Sequence, residues 1–360
     1  MAEITRRQTR RVKVGGLYIG GGERITVQSM TNRPAHDFDG TVAQIKSLEA
    51  TGADIVRLAV PDEECAEAFS VAKKAGVRCP LVADIHFDYK IALASLKAGA
   101  DKIRINPGNI GERWKVKEVA DACRLSGVPI RIGVNGGSLD KQLLHKYGAP
   151  TAEALAESAL EEAGALENCG FSDIVISIKS SSVHEMMRAA RLVAKDTDYP
   201  LHLGVTEAGD DYSGLIKNSA GIGALLLDGI GDTIRVSLTA DPAEEIRAGR
   251  ELLSLLGLTD GGIEIVSCPT CGRTKIDLIG IEKAYKAAVS SIDSHGKRLK
   301  VAVMGCAVNG PGEAREADFG IAGGDGFVLY FKNGEPQYKV DEDKAVEFLV
   351  GETKKALENL

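Results

Sequence analysis

The sequence predicts an α/β fold, a closed (β/α)8 barrel followed by a small α+β domain. Three observations point there. Short runs rich in Val, Ile and Leu recur eight times between residues 25 and 238, an amphipathic stretch follows each, and the rhythm stops at Leu258-Thr259-Asp260-Gly261-Gly262. Apolar strands alternating with helices are the pattern of a parallel sheet covered by its crossovers. Eight units in about 230 residues match a TIM barrel in number and size, with an open doubly wound sheet as the fallback.

The eight strands are predicted at residues 25–29, 54–59, 81–85, 102–106, 129–134, 173–178, 201–205 and 233–238. Between the fifth and sixth, a Gly-containing loop at 135–150 precedes a helix at 151–168. In the last helix Asp241 caps free amides and Pro242 takes the first position. Glu244 completes a capping box ahead of Ile246, Leu252, Leu253 and Leu256. Gly20, Gly21 and Gly22 lack the spacing of a phosphate-binding loop and read as a turn. The breaker cluster sets the boundary between a barrel domain, 1–258, and a second domain, 259–360. The latter reads as strand 263–266, helix 274–292, strand 299–304, strands around Gly320 and at 327–331, and helix 342–357.

A net charge of -7 and a pI near 5.6 argue against nucleic-acid or membrane-surface partners, so an anionic substrate has to be gripped locally. The longest apolar run, 221–227, is far shorter than the roughly 20 residues of a membrane span. No apolar signal core follows the basic Arg6, Arg7, Arg10 and Arg11, and a cytoplasmic protein is expected. Seven cysteines, an odd number, fit reduced thiols and a metal site better than a disulfide framework. Cys65, Cys79, Cys123 and Cys169 stand singly in apolar or helical contexts and read as small buried hydrophobes.

Chemistry in such a barrel sits at the carboxyl ends of the strands. Those ends carry Arg57, then Asp84 and His86, Arg104 and Asn106, Arg131 and Asn135, Lys179, Glu207, and finally Arg235 and Ser237. Pairs two residues apart share one face of a strand. Five of these residues are cations, and buried charge is costly unless paired, so the excess implies an anionic guest. Planar Arg forks suit phosphate oxygens, and the substrate is expected to be small and phosphorylated. Glu207, ending an apolar run among cations, is placed to donate a proton or hold a substrate hydroxyl, with a structural salt bridge as the alternative.

The second domain carries Ser267-Cys268-Pro269-Thr270-Cys271-Gly272 and, later, Met304-Gly305-Cys306-Ala307-Val308-Asn309-Gly310-Pro311-Gly312-Glu313. A C-x2-C turn aims two thiolates at one centre and Cys306 adds a third. Glu313, after a Gly-Pro-Gly turn, brings an oxygen ligand. Three thiolates with one oxygen suit a [4Fe-4S] cluster whose unique iron exchanges ligands. Structural zinc is the alternative.

The chain resembles the 4-hydroxy-3-methylbut-2-enyl diphosphate synthase family of the non-mevalonate isoprenoid pathway, in its compact bacterial form. The resemblance rests on Val27-Gln28-Ser29-Met30-Thr31-Asn32, Ala83-Asp84-Ile85-His86-Phe87, Arg104-Ile105-Asn106-Pro107-Gly108-Asn109, residues 201–207, and both cysteine motifs. It implies a TIM barrel followed by a [4Fe-4S] domain. The implied activity is reduction of 2-C-methyl-D-erythritol 2,4-cyclodiphosphate, with loss of water, to the linear diphosphate. Flavodoxin or ferredoxin would bring the electrons. Arg57, Arg104, Asn106, Arg131, Asn135, Lys179 and Ser237 would hold the diphosphate, Glu207 would assist protonation, and Cys268, Cys271, Cys306 and Glu313 would hold the cluster. After Asn32 the chain reads Arg33-Pro34-Ala35-His36-Asp37, where the family commonly has Thr-Asp-Thr.

Chain geometry adds an expectation about assembly. The eighth helix returns the chain to the barrel's bottom face, and a breaker of about six residues spans at most roughly 20 Å. The second domain then serves another subunit's mouth, which predicts a head-to-tail homodimer. Two rival readings remain at this level: a zinc-stabilised barrel enzyme without redox chemistry, and a metal-binding interaction module.

Overall fold

The structure, a computed structural model, describes residues 4–359 except 260, 291, 308–311 and 313. Contacts divide the chain into two units, Met1–Leu256 and Gly257–Leu360.

The first unit opens with an antiparallel hairpin, β1 (Val12–Val14) and β2 (Leu17–Ile19). Its buried Val14 and Ile19 pack on Ile55 and Val82, near the amino ends of two barrel strands, and so cover the floor. Gly20, Gly21 and Gly22 all have positive φ and turn the chain into the barrel. The barrel strands are β3 (Thr26–Met30), β4 (Ile55–Ala59), β5 (Leu81–Asp84), β6 (Lys102–Ile105), β7 (Ile130–Asn135), β8 (Ile174–Lys179), β9 (Leu201–Leu203) and β10 (Thr233–Ile234). Each runs parallel to the next, and β10 closes on β3. All eight lie where the apolar runs predict them. β9 and β10 stop short because Asn218 takes over their ladder: its Oδ1 accepts from Val205 N (3.2 Å), and its Nδ2 donates to Ser237 O (3.0 Å).

The enclosing helices are α1 (Phe38–Ala50), α2 (Glu67–Lys74), α3 (Tyr89–Lys97), α4 (Pro107–Ile110), α5 (Arg113–Ser126), α6 (Lys141–Tyr147), α7 (Ala152–Glu167), α8 (Val183–Asp196), α9 (Asp211–Leu227) and α10 (Pro242–Leu255). Short polar caps begin most of them, with Asp37, Asp88, Thr151, Ser182 and Asp210 each accepting a first-turn amide. The capping box expected on α10 does not close. Asp241 accepts from Ala243 N (2.8 Å), while the Glu244 carboxylate turns outward to Arg247. Ile246 and Leu253 are buried, and Leu252 and Leu256 only partly so.

The second unit is a five-stranded sheet ordered β11 (Gly262–Ser267), β12 (Arg298–Met304), β13 (Phe319–Gly323), β14 (Phe327–Lys332) and β15 (Glu335–Asp341). The first three strands are parallel and the last two join as antiparallel hairpins. Alternation along β12 splits the core. Leu299, Val301 and Val303 pack with α11 (Leu278–Val289) and α12 (Ala345–Asn359), whereas Ala302 and Met304 pack on the opposite face with Ala314, Ala317 and Phe331. α11 starts at Leu278 rather than 274, because Asp277 caps it, Thr274 N bonds back to Cys271 O and Lys275 N bonds to Gly305 O. Among the described residues no helix is long and apolar enough to cross a membrane.

Candidate active site

Parallel strands point alternate side chains into the barrel, and here the upper interior is charged rather than aliphatic. Arg57 on β4 and Arg104 on β6 converge on Asp84 at the end of β5, with Arg57 Nε 3.6 Å from Oδ2 and Arg104 Nη1 3.0 Å from Oδ1. All three are buried. Burial alone would raise the Asp84 carboxyl; Arg57, Arg104 and Arg131 overcome it and hold the group below the usual carboxylate range. Arg104 also donates to Gly133 O at 3.2 Å. A Cβ on Gly133 would lie 2.2 Å from Arg104 Nε, so only glycine lets that guanidinium cross the strand.

Arg131 is wholly buried and donates to Gln28 Oε1 at 3.3 Å. Lys179, at the end of β8, is buried with no hydrogen-bond or ion-pair partner among the described residues. Burial, followed by Arg57, Arg235, Arg131 and Arg104, drives its ammonium well below the ordinary lysine value. The same forces bring Arg57 down to about 10, burial first, although Asp84 opposes them. Arg235 is clamped: its Nε and Nη2 lie 3.0 Å from the two carboxylate oxygens of Glu245 on α10. The five basic side chains thus share two ion-paired carboxylates, Asp84 and Glu245, so basic groups outnumber their ion-pair partners at the mouth.

The remaining predicted residues sit at or beyond the strand ends. Asn106 is buried and caps α4 by accepting from Asn109 N (3.2 Å). Asn135 ends β7; in the amide orientation that satisfies both ends, its oxygen accepts from Arg104 Nη2 at 3.3 Å. Ser237 is held through its backbone by Asn218. His86 is exposed on the loop after β5, within electrostatic reach of Asp84. Glu207 is also exposed and lies past the end of β9 rather than on the strand. Its φ of 52° is the left-handed conformation that non-glycine residues avoid and that collects at functional sites.

Sequence reading missed the Glu245 clamp and the polar layer beneath the mouth. Glu245 is 2% exposed and also accepts from Ser29 Oγ (2.7 Å) and Leu238 N (3.1 Å). Below the cations, Lys102 and His202 are buried, and Lys102 Nζ and His202 Nε2 have no hydrogen-bond partner among the described residues. Charge inside short apolar strands was their only sequence signal.

In the second unit, Cys268 follows β11 and Cys306 follows β12, so two adjacent parallel strands deliver both thiols to one end of the sheet. Gly305 N donates to Cys268 Sγ at 3.2 Å. The intervening turn folds back, since Lys275 N bonds to Gly305 O (3.0 Å) and Cys271 N to Thr274 Oγ1 (3.1 Å). Cys271 is exposed, and hydrogen bonds from Arg273, the backbone amide first, lower its thiol pKa. All three cysteines are free thiols. Glu313 lies outside the described residues.

Comparison with known families now settles the relationship. The GcpE TIM-barrel domain matches residues 9–250, and the GcpE protein C-terminal domain matches residues 264–355. The chain belongs to the GcpE family. Relatives named 4-hydroxy-3-methylbut-2-en-1-yl diphosphate synthase (flavodoxin) include one from Clostridium perfringens, 56% identical over 349 residues, covering 96% of this chain and 98% of the relative. Another, from Clostridium acetobutylicum, is 55% identical over 349 residues, covering 97% and 99%. Dihydropteroate synthase from Stenotrophomonas maltophilia superimposes with a TM-score of 0.50 at 15% identity, over 69% of this GcpE chain and 98% of that one, and attests the barrel fold alone.

Proposed function

We propose that this chain catalyses the reaction its GcpE relatives are named for, the two-electron reduction of 2-C-methyl-D-erythritol 2,4-cyclodiphosphate to 4-hydroxy-3-methylbut-2-enyl diphosphate with loss of water. The observation that carries the reading is the cationic excess of the barrel mouth, in a chain that matches the family in both domains. A diphosphate supplies the negative charge which that mouth lacks.

Arg131 and Lys179, which among the described residues form no ion pair with a carboxylate, make the direct contacts to phosphate oxygens. Arg57 and Arg104 join them from the fixed positions that Asp84 gives them, and Asn106, Asn135 and Ser237 line the rim. Arg235, neutralised by Glu245, shapes the mouth more than it attracts the anion. Glu207, exposed on the rim after β9, donates the proton that accompanies loss of the hydroxyl, with His86 on the rim after β5.

Cys268, Cys271 and Cys306 would hold a [4Fe-4S] cluster, with Glu313 as the oxygen ligand. Three free thiols, two of them delivered by adjacent strand ends and one already accepting a backbone N–H, form a donor set suited to iron and sulfide. When bound, the cluster supplies electrons and a Lewis-acidic iron for carbon–oxygen cleavage, which redox-inert zinc cannot. Flavodoxin is the donor, as the relatives' names specify, and the protein works in the cytoplasm as a head-to-tail homodimer.

The test is turnover. Anaerobic protein given the cyclic diphosphate and reduced flavodoxin yields the linear diphosphate, identified by mass spectrometry, and Arg131→Met lowers kcat/KM by at least about 100-fold. Recovery of unchanged substrate from the unaltered protein rejects the reading.

A further inference from the structure

Met30 is the last residue of β3, half-buried, and pairs in register with Arg57 on β4. Among the described residues its thioether is the nearest acceptor to that arginine. Arg57 Nε and Nη2 donate to Met30 Sδ at 3.1 and 3.0 Å, whereas the same Nε stands 3.6 Å from Asp84 Oδ2. From the other side Arg235 Nη1 donates to the same sulfur at 3.7 Å. Strand order explains the meeting. β3 lies between β10 and β4, so the side chain at its carboxyl end falls between Arg57 on β4 and Arg235 just after β10.

Two guanidiniums brought to one sulfur repel each other. Burial depresses the Arg57 pKa most, Asp84 opposes it, and repulsion from Arg235 adds to the fall. An acceptor between the two can hold both, and its charge decides the consequence. A carboxylate would cancel positive charge, as Glu245 does for Arg235 through Nε and Nη2. A thioether is neutral and polarisable; its lone pairs accept N–H groups and leave the charge of the arginine in place. An aliphatic side chain of similar volume would fill the same space and accept nothing. Arg57 thus turns its Nε and Nη2 edge to the sulfur, while Nη1 makes no hydrogen bond among the described residues.

We propose that Met30 is a positioning residue of the mouth: its sulfur, a neutral acceptor shared by Arg57 and Arg235, fixes the Arg57 guanidinium for the diphosphate without cancelling its charge. The inference rests on the reading of the mouth as a diphosphate site. Met30 acts through Arg57, and its contribution is to binding rather than to the chemical step.

The test compares the unaltered chain with Met30→Leu and Met30→Gln, each purified anaerobically with its iron centre loaded. Leucine keeps an apolar side chain of similar volume and removes the acceptor, a swap that cores tolerate well. Glutamine keeps an unbranched stem and a neutral acceptor oxygen. Inorganic pyrophosphate is the probe, titrated by calorimetry. Met30→Leu should weaken its binding about fivefold to tenfold, and Met30→Gln should stay within about twofold of the unaltered protein. In turnover, Met30→Leu should raise KM for the cyclic diphosphate by about the same factor while kcat changes less than about twofold. Equal pyrophosphate affinity in Met30→Leu and the unaltered chain would overturn the proposal. So would a loss in Met30→Gln as large as that in Met30→Leu, which would mark Met30 as packing alone. The proposed function fails separately: an unaltered chain that binds pyrophosphate but leaves the cyclic diphosphate unchanged rejects that reading, while the ratio of affinities still decides the role of Met30.

Discussion

A lysine buried among arginines cannot keep its proton at the ordinary pKa, and Lys179 is in that position. An arriving diphosphate reverses the sign of its surroundings and raises the pKa again. At a pH between the free and bound values, substrate binding should therefore take up a proton. Affinity is highest below the free-state value and falls as pH rises toward the bound-state value. Calorimetry in buffers of different ionisation enthalpy measures the uptake, and Lys179→Gln should abolish it; equal uptake in the variant removes Lys179 from the role. That these five cations belong to one mouth was legible because each lies within or just after an apolar strand, where charge is conspicuous. The Glu245 clamp was not. Glu244 and Glu245 are neighbours on one helix, and only the phase of α10 against β3 and β10 decides which carboxylate turns inward.

At the scale of elements, that inward carboxylate joins three segments, receiving Ser29 of β3, Arg235 after β10 and the backbone of Leu238. Glu245→Gln should cost about 3 kcal/mol of barrel stability in denaturant unfolding, because it leaves Arg235 half-buried without its counter-charge. A loss below about 1 kcal/mol would mean the clamp is incidental. The barrel strands themselves were readable from their apolar runs, since parallel strands are covered on both faces. The lengths of β9 and β10 were not, because a side chain on α9, Asn218, ends their pairing. Strand β15 was missed for the opposite reason. It is an exposed edge carrying Pro336 and several charges, which protects the sheet from further pairing and erases the apolar signature.

At the scale of the whole molecule, the two units hold different residue sets, a mouth rich in basic side chains in one and three thiols in the other. If each working site combines the barrel of one subunit with the second domain of its partner, inactive chains complement one another. Mixing Glu207→Gln protein with Cys306→Ser protein should restore about a quarter to a half of normal activity as mixed dimers form; no recovery would show that each chain works alone. The proposed reaction joins fixed positive charge to a redox-active iron centre. Its most direct test is iron analysis and single-turnover assay of anaerobically purified protein. Roughly four irons per chain, a broad absorption near 400 nm and conversion of the cyclic diphosphate, with both iron and conversion lost in Cys306→Ser, are the results this account requires. Full conversion by colourless, iron-free protein would contradict it.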